Sequence, residues 1–413
     1  MNHPTDLKVR LLKWQLRSPL GLLLARALLA GRPQKPHHRI SADFFMQIAR
    51  RTYTSRPAPV VWSNLFMPSE LFWALGITPF FPEAWTGLAA SMGLSAVGLT
   101  QSAAVGYPVD LCTVHRSGAG LHQAGLFPRA DAYVSTSNTC DVAGQVLANF
   151  AHTESRPFFF LDVPQTEDEA AVDYVAAQLQ QLVDQWTATL GVTYDPDRMR
   201  QTIRLSNQAR ALALEVEHLR EAEPTPLRGS GMLDQLAMLT SMPGHPVGVT
   251  YYQALLDYAK SRLANPEQPT QKTRLYWMHL MPYFQSELLA HLEDDLGAAI
   301  VAEEISHVWW DELDEVQPLR ALARKMLGLY FNGPIERRVN QAVTQIARYR
   351  CRGAVHFSHW GCRQSAGALH VVRAQLRKIG VPLLVLDGDC IDPENLQLGP
   401  LRTRVDAFME MLT

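Results

Sequence analysis

Gly353-Ala354-Val355-His356-Phe357-Ser358-His359-Trp360-Gly361-Cys362-Arg363-Gln364-Ser365-Ala366-Gly367-Ala368-Leu369 reads as a strand, a polar turn and a helix start, with a cysteine at the junction. The same order of parts occurs earlier. Ala132-Tyr133-Val134-Ser135-Thr136-Ser137-Asn138-Thr139 runs into Cys140, and Asp141-Val142-Ala143-Gly144-Gln145-Val146-Leu147 follows. Short apolar runs bounded by turn residues and followed by helical patterning are the units of a parallel sheet covered by helices.

Working outward, Ala58-Pro59-Val60-Val61-Trp62, residues 77–81 and Pro157-Phe158-Phe159-Phe160-Leu161-Asp162 read as further strands of the first half. A helix is expected from Pro68, a residue tolerated where the first N–H groups are unpaired anyway, and another over 86–92. Helical patterning then fills 167–190, 195–219 and 233–263, with Glu167, Asp168 and Glu169 suiting the positive end of the first dipole. A polar loop is expected over 222–230. Strands are expected again over 275–280, 298–301, 353–357 and 382–387, with helices over 285–296 and 369–379. Gly380-Val381-Pro382 marks a helix stop before a strand.

The expected fold is α/β, with two parallel-sheet halves, an N-terminal helical segment and a helical connector. The segments are 1–57 (N-terminal helices, broken at 31–36), 58–190 (first α/β domain, with Cys112 and Cys140), 191–270 (connector) and 271–413 (second α/β domain, with Cys362).

In 413 residues, 47% are hydrophobic and 19% charged, with a formal charge of -2, which suits a folded chain of two or three packed units. No concentrated basic face is available for phosphate backbones, so a nucleic-acid partner is not expected. The apolar stretch from Leu11 to Ala30 is interrupted by Arg17 and Arg26. It is too short between them to span a bilayer and lacks the unbroken core of a signal peptide. A packed or partner-facing amphipathic helix is expected there, and no membrane partner. Five cysteines, Cys112, Cys140, Cys351, Cys362 and Cys390, are few, odd in number and far apart. That argues against a disulfide framework and for a reducing, cytoplasmic setting. No CxxC pair suggests a zinc ribbon.

At the carboxyl ends of parallel strands ligands collect where helices begin. A cysteine there meets unpaired N–H groups and the positive end of a helix, which favour the metal-binding thiolate. Cys140 and Cys362 fit this, and Cys112 lies in a polar connection with Arg116 nearby. Any one of them alone is more readily a small buried hydrophobe. That description suits Cys351, while Cys390 lies among Asp387, Asp389 and Asp392 and is only a conditional fourth. Three thiolates suit a [4Fe–4S] cube with one iron left without a cysteine, where the usual cube takes four.

Several phrases together resemble the 2-hydroxyacyl-CoA dehydratase D-component family, which also holds benzoyl-CoA reductase subunits and double-cubane cluster proteins. They are Val355 to Gln364, Gly380 to Asp389 and, most specifically, Leu401-Arg402-Thr403-Arg404-Val405-Asp406-Ala407-Phe408-Met409-Glu410-Met411-Leu412. Upstream, Pro68-Ser69-Glu70-Leu71 with Gly76 and Pro79, Pro108-Val109-Asp110-Leu111-Cys112 and Asn138-Thr139-Cys140-Asp141 belong to the same pattern. The resemblance spans roughly 58–413. It implies two flavodoxin-like domains with a [4Fe–4S] cluster held between them by Cys112, Cys140 and Cys362, or a double-cubane [8Fe-9S] cluster in the variant members. It further implies a homodimer or a heterodimer of related subunits, and a separate ATP-dependent iron–sulfur activator delivering one low-potential electron. In the dehydratases that electron reaches a 2-hydroxyacyl-CoA thioester, and the resulting ketyl radical expels the hydroxyl group. Double-cubane members reduce small molecules instead, and a non-catalytic partner subunit is a third role.

The chain departs from the pattern at Trp277-Met278-His279-Leu280-Met281-Pro282, where a small, Gly-containing turn is expected. It has no GxxxxGK[ST] phosphate loop, so ATP use falls to another protein. Ser63, Glu70 and Glu83 near the first strand are candidates to move a substrate proton or hydroxyl. Glu70 equally suits a helix start. Of His356 and His359, at most one faces the site, and His359 is the better placed. Trp309-Trp310 with the acids after it is expected in a surface loop. Arg402 and Arg404 are expected on a CoA phosphate or paired with Asp389 or Asp392.

Overall fold

Among the described residues the short apolar runs form eight strands in two sheets, every pairing parallel. A computed structural model describes residues 4–31, 34–265, 273–284 and 286–412. Arg32 and Pro33 of the expected break, Gln285 at an expected helix start, and the boundary at 270–271 lie outside the described residues.

The first sheet contains β1 (Val60–Ser63), β2 (Thr78–Phe80), β3 (Ala132–Thr136) and β4 (Phe158–Leu161), in the order β2-β1-β3-β4. The second contains β5 (Thr273–Met278), β6 (Ala298–Glu303), β7 (Gly353–His359) and β8 (Leu383–Gly388), in the order β6-β5-β7-β8. Both repeat the flavodoxin-like sequence of neighbours, in which successive crossovers leave the central strand pair in opposite directions. A crevice therefore opens at the carboxyl ends between β1 and β3 and, in the second sheet, between β5 and β7. Trp62 of β1 sits opposite Tyr133 of β3, and Met278 of β5 opposite His356 of β7. Every residue of β1, β3, β5, β6 and β7 is buried. Helices on both faces explain why these strands read as continuous apolar runs rather than alternating ones.

The long helices Glu169–Leu190, closing the first α/β segment, and Pro196–Leu219, opening the connector, start where Asp168 and Asp195 accept hydrogen bonds from first-turn N–H groups. The stretch 233–263 is two helices, Met232–Ser241 and Pro246–Ala264. They part at Gly244, whose φ of +83° only glycine adopts cheaply. The N-terminal helices Pro4–Arg17 and Pro19–Ala30 are tied down by Lys8 on the Met92 carbonyl and Arg17 on the Gly125 carbonyl. Their outer side exposes Leu7, Leu11, Trp14, Leu23 and Leu28. No helix among the described residues is long and apolar enough to cross a membrane.

The two halves share cores. Helix Pro318–Leu327, between β6 and β7, packs with helix Glu169–Leu190 in the first sheet's core, while Cys112 and Val114 join the core around β5 and β7. Trp310 departs from the expected surface loop. Its indole is buried, with Lys325 Nζ 3.9 Å from the ring centre, because Asn207 and Arg210 hydrogen-bond the 310–313 segment onto helix Pro196–Leu219. Arg402 and Arg404 also differ from expectation: they pair with Glu287 and Asp387.

Candidate functional site

Each of the three cysteines singled out from sequence sits one residue before a helix: Cys112 before Thr113–Gln123, Cys140 before Asp141–Thr153, and Cys362 before Arg363–Ala366. The two strand–turn–helix junctions share a backbone device. Thr139 and Gly361, just ahead of Cys140 and Cys362, both adopt left-handed φ, +72° and +83°. This turns the chain sharply off β3 and β7, so that both thiols stand at the carboxyl ends of the central strands.

Cys112 reaches them from the loop before its helix, and that loop plugs into the second half. A Cβ on Gly361 would lie 2.8 Å from Cys112 Cα, so only glycine permits the approach. Thr113 Oγ1 donates to Asp389 Oδ1 at 2.6 Å. Asp389 Oδ1 also accepts from the N–H groups of Ile391 and Asp392, which locks the turn after β8.

All three cysteines line one cavity of about 1190 Å³, including its mouth. Glu83, His115, His279 and His359 line it too, among apolar walls that include Phe66, Leu236, Ile305 and Phe331. Each thiol has its own imidazole. Cys112 Sγ lies 3.3 Å from His359 Nε2, Cys140 Sγ 3.3 Å from His115 Nε2, and Cys362 Sγ 3.5 Å from His279 Nε2. The Cys390 N–H donates to His359 Nδ1, so the proton of neutral His359 is on Nε2, pointing at Cys112. His279 has the other tautomer: Nδ1 donates to the Phe357 carbonyl at 3.2 Å, leaving the Nε2 lone pair toward Cys362.

Behind these groups Arg338 holds Glu304 with two hydrogen bonds, at 2.7 and 2.9 Å, and also reaches His356 and the Ser365 hydroxyl. Glu304 in turn accepts from the His279 N–H. The turn after β5 and the turn carrying Cys362 are thereby fixed to one buried ion pair. His356 belongs to this support while His359 faces the cavity, as the strand's alternation requires.

The electrostatics differ from the sequence expectation. Burial raises the thiols of Cys112 and Cys362 and pushes Cys140 up to about 11, outweighing the first-turn N–H groups that favour the thiolate. Arg116 does not reach Cys112; its Nη1 donates to the Val109 carbonyl. Burial likewise holds His115, His279 and His359 below the ordinary imidazole range. Glu83 is raised by burial, and its Oε2 atom is shut off from solvent with no hydrogen-bond partner.

The other candidates fall elsewhere. Ser63 is fully buried in β1, with Oγ on the Asn64 carbonyl, and does not line the cavity. Nor does Glu70, whose carboxylate accepts from Lys325 at 2.7 Å and from Ser206 at 2.6 Å. Cys351 is buried away from the cavity. Cys390 is fully buried beneath it, where its sulfur, Asp389 and His359 offer ligand atoms within 4.8 Å of one another. That trio has the chemistry to hold a metal, though His359 Nδ1 and Asp389 Oδ1 already accept backbone hydrogen bonds. The bulky turn after β5 does line the cavity, through His279 and Leu280. His115 and His279 were not among the sequence candidates. The signals were their places, three residues past Cys112 and just past the central strand of the second sheet.

The donor set fits an iron–sulfur group: three free thiols from three turns and both sheets, each before a helix, around a cavity with apolar walls. Over residues 64–412 the chain matches the family described as 2-hydroxyglutaryl-CoA dehydratase, D-component. It is 22% identical over 374 residues to the (R)-2-hydroxyisocaproyl-CoA dehydratase alpha subunit of Clostridioides difficile, covering 86% of this chain and 90% of that one. With the lactoyl-CoA dehydratase subunit alpha of Anaerotignum propionicum it shares 22% over 400 residues, 88% and 92% of the two chains. With a benzoyl-CoA reductase subunit of Thauera aromatica it shares 23% over 341 residues, 74% and 78%. The chain belongs to the 2-hydroxyglutaryl-CoA dehydratase D-component family.

Proposed function

We propose that this chain is the iron–sulfur subunit of a 2-hydroxyacyl-CoA dehydratase or a related acyl-CoA reductase, with Cys112, Cys140 and Cys362 holding a [4Fe–4S] cluster. The observation that carries this is the convergence of those three thiols on one cavity at the switch points of both sheets. Held by these three residues, such a cluster would supply a low-potential electron for reduction of a thioester carbonyl.

The chain's own groups do the rest. Glu83, which lines the cavity and whose carboxyl burial raises, holds a proton at pH values where an ordinary carboxyl has lost it, and gives it to a departing hydroxyl. Phe66, Leu236, Ile305 and Phe331 keep water from the reacting atoms. His359 Nε2–H donates toward the Cys112 sulfur, and hydrogen bonds of that kind tune such a centre. Ser63 and Glu70 take no part in the chemistry; Glu70 serves the fold through Lys325. The family resemblance supports a separate ATP-dependent activator as the electron source, and the sequence's lack of a GxxxxGK[ST] loop agrees with that. The alpha-subunit relatives favour a paired, like or related, subunit.

Iron and acid-labile sulfide per chain, measured on protein purified without oxygen, test this directly. About four irons per chain are expected, lost in Cys112→Ala, Cys140→Ala and Cys362→Ala. A content near twice that moves the reading to a double-cubane reductase. Folded, iron-free anaerobic protein sinks it.

A further inference from the structure

Three cysteines line the main cavity, where the usual protein-bound cube takes four. Neither remaining cysteine lines it: Cys390 is fully buried beneath it and Cys351 is buried away from it. The other soft donors on the cavity wall are the imidazoles of His115, His279 and His359.

His359 is excluded as a ligand, since its Nδ1 accepts the Cys390 N–H and its Nε2 carries the proton. The described hydrogen bond of His115 is to Cys140 itself, so no group behind that ring decides its tautomer. His279 differs from both. Its Nδ1 donates to the Phe357 carbonyl at 3.2 Å, which leaves the Nε2 lone pair bare, 3.5 Å from Cys362 Sγ. An imidazole whose far nitrogen is held by a backbone carbonyl has the orientation and tautomer that metal-bound histidines adopt.

The backbone points the same way. His279 has a φ of +65°, in the left-handed region that a residue with a side chain adopts only at a cost. Glycine would fill this turn without strain, and it is here that the sequence departs from a small, Gly-containing turn. The costly conformation is held from behind. The His279 N–H donates to Glu304 Oε2 at 2.9 Å, Arg338 grips that carboxylate, and the imidazole stacks on His356 with 5.6 Å between ring centres.

We propose, on the iron–sulfur reading above, that His279 Nε2 ligates the iron that Cys112, Cys140 and Cys362 leave without a cysteine. An iron closed in this way has no position open to a substrate oxygen, so a substrate binds in the cavity and not on the metal.

Pulsed EPR of the reduced protein, purified without oxygen and carrying nitrogen-15-labelled histidine, tests this beside iron and sulfide analysis. A directly bonded histidine nitrogen is expected in the parent and not in His279→Gly, a change that suits the left-handed φ and so keeps the fold. Added imidazole is expected to restore a bonded nitrogen in that variant, and cyanide to bind the variant's iron but not the parent's. Where His279→Gly holds less iron, His279→Cys decides: it is expected to load iron with no nitrogen signal, and a nitrogen signal or no iron there overturns the proposal. About four irons per chain with no bonded nitrogen, or with one that persists in His279→Gly, overturns the proposal and leaves the iron–sulfur reading standing. Folded parent protein without iron ends both.

Discussion

Glu83 Oε2 is a buried carboxylate oxygen without a partner, in a residue that lines the cysteine cavity. Because burial raises its folded pKa above the unfolded value, the stability it contributes is full below the ordinary carboxyl range. That contribution is lost as pH rises through the folded value. Glu83→Gln is therefore expected to be more stable than the parent at neutral pH, with the gain vanishing in acid, as thermal melts across pH would record. The same variant is expected to lower turnover by about 10²- to 10⁴-fold. At this scale only residue type and neighbourhood are legible in the sequence. Ser63, Glu70 and Glu83 are all polar groups close to β1, but which one meets a cavity depends on partners far along the chain. Lys325, which takes Glu70's carboxylate, is 255 residues away. The thiols show the same limit, since the helix starts at Cys140 and Cys362 were legible and the burial that outweighs them was not.

Two helices on the approach to Cys112 show what the element scale demands. Ser95–Ala104 and Thr113–Gln123 cross so closely that a Cβ on Gly120 would collide with the Gly98 carbonyl oxygen. Gly120→Ala is expected to destabilise the chain by about 3 kcal/mol, seen in urea denaturation. It is also expected to make the Cys112 thiol more reactive toward an aromatic disulfide, because this helix carries Cys112 at its start. Glycines lower helix propensity, so this region reads from sequence as a polar connection rather than a helix. The strands were legible for the opposite reason: parallel strands buried over most or all of their length announce themselves as short apolar runs.

Three buried histidines, His279, His356 and His359, are held neutral around the second sheet's carboxyl end. Folded values below the unfolded one mean that the stability is present above about pH 6.5 and is lost as pH falls below it. The metal-free chain is expected to lose roughly 1.4 kcal/mol per pH unit for each of them just below that point, as denaturation at stepped pH would show. Replacing His356 by Gln removes one share. At this largest scale sequence supplied two α/β halves but not how they join, because periodicity tells which face is buried and not what covers it. That joining has a consequence in time. Cys112 meets His359 across 247 positions, and Thr113 meets Asp389 across 276. On a ribosome adding residues one at a time, the first two cysteines emerge long before the turn that receives them. Until then the nascent chain has two thiols and no finished chamber, so any loading of the pocket must wait for the C-terminal sheet to be made, and a ribosome stalled before β7 leaves nothing to load.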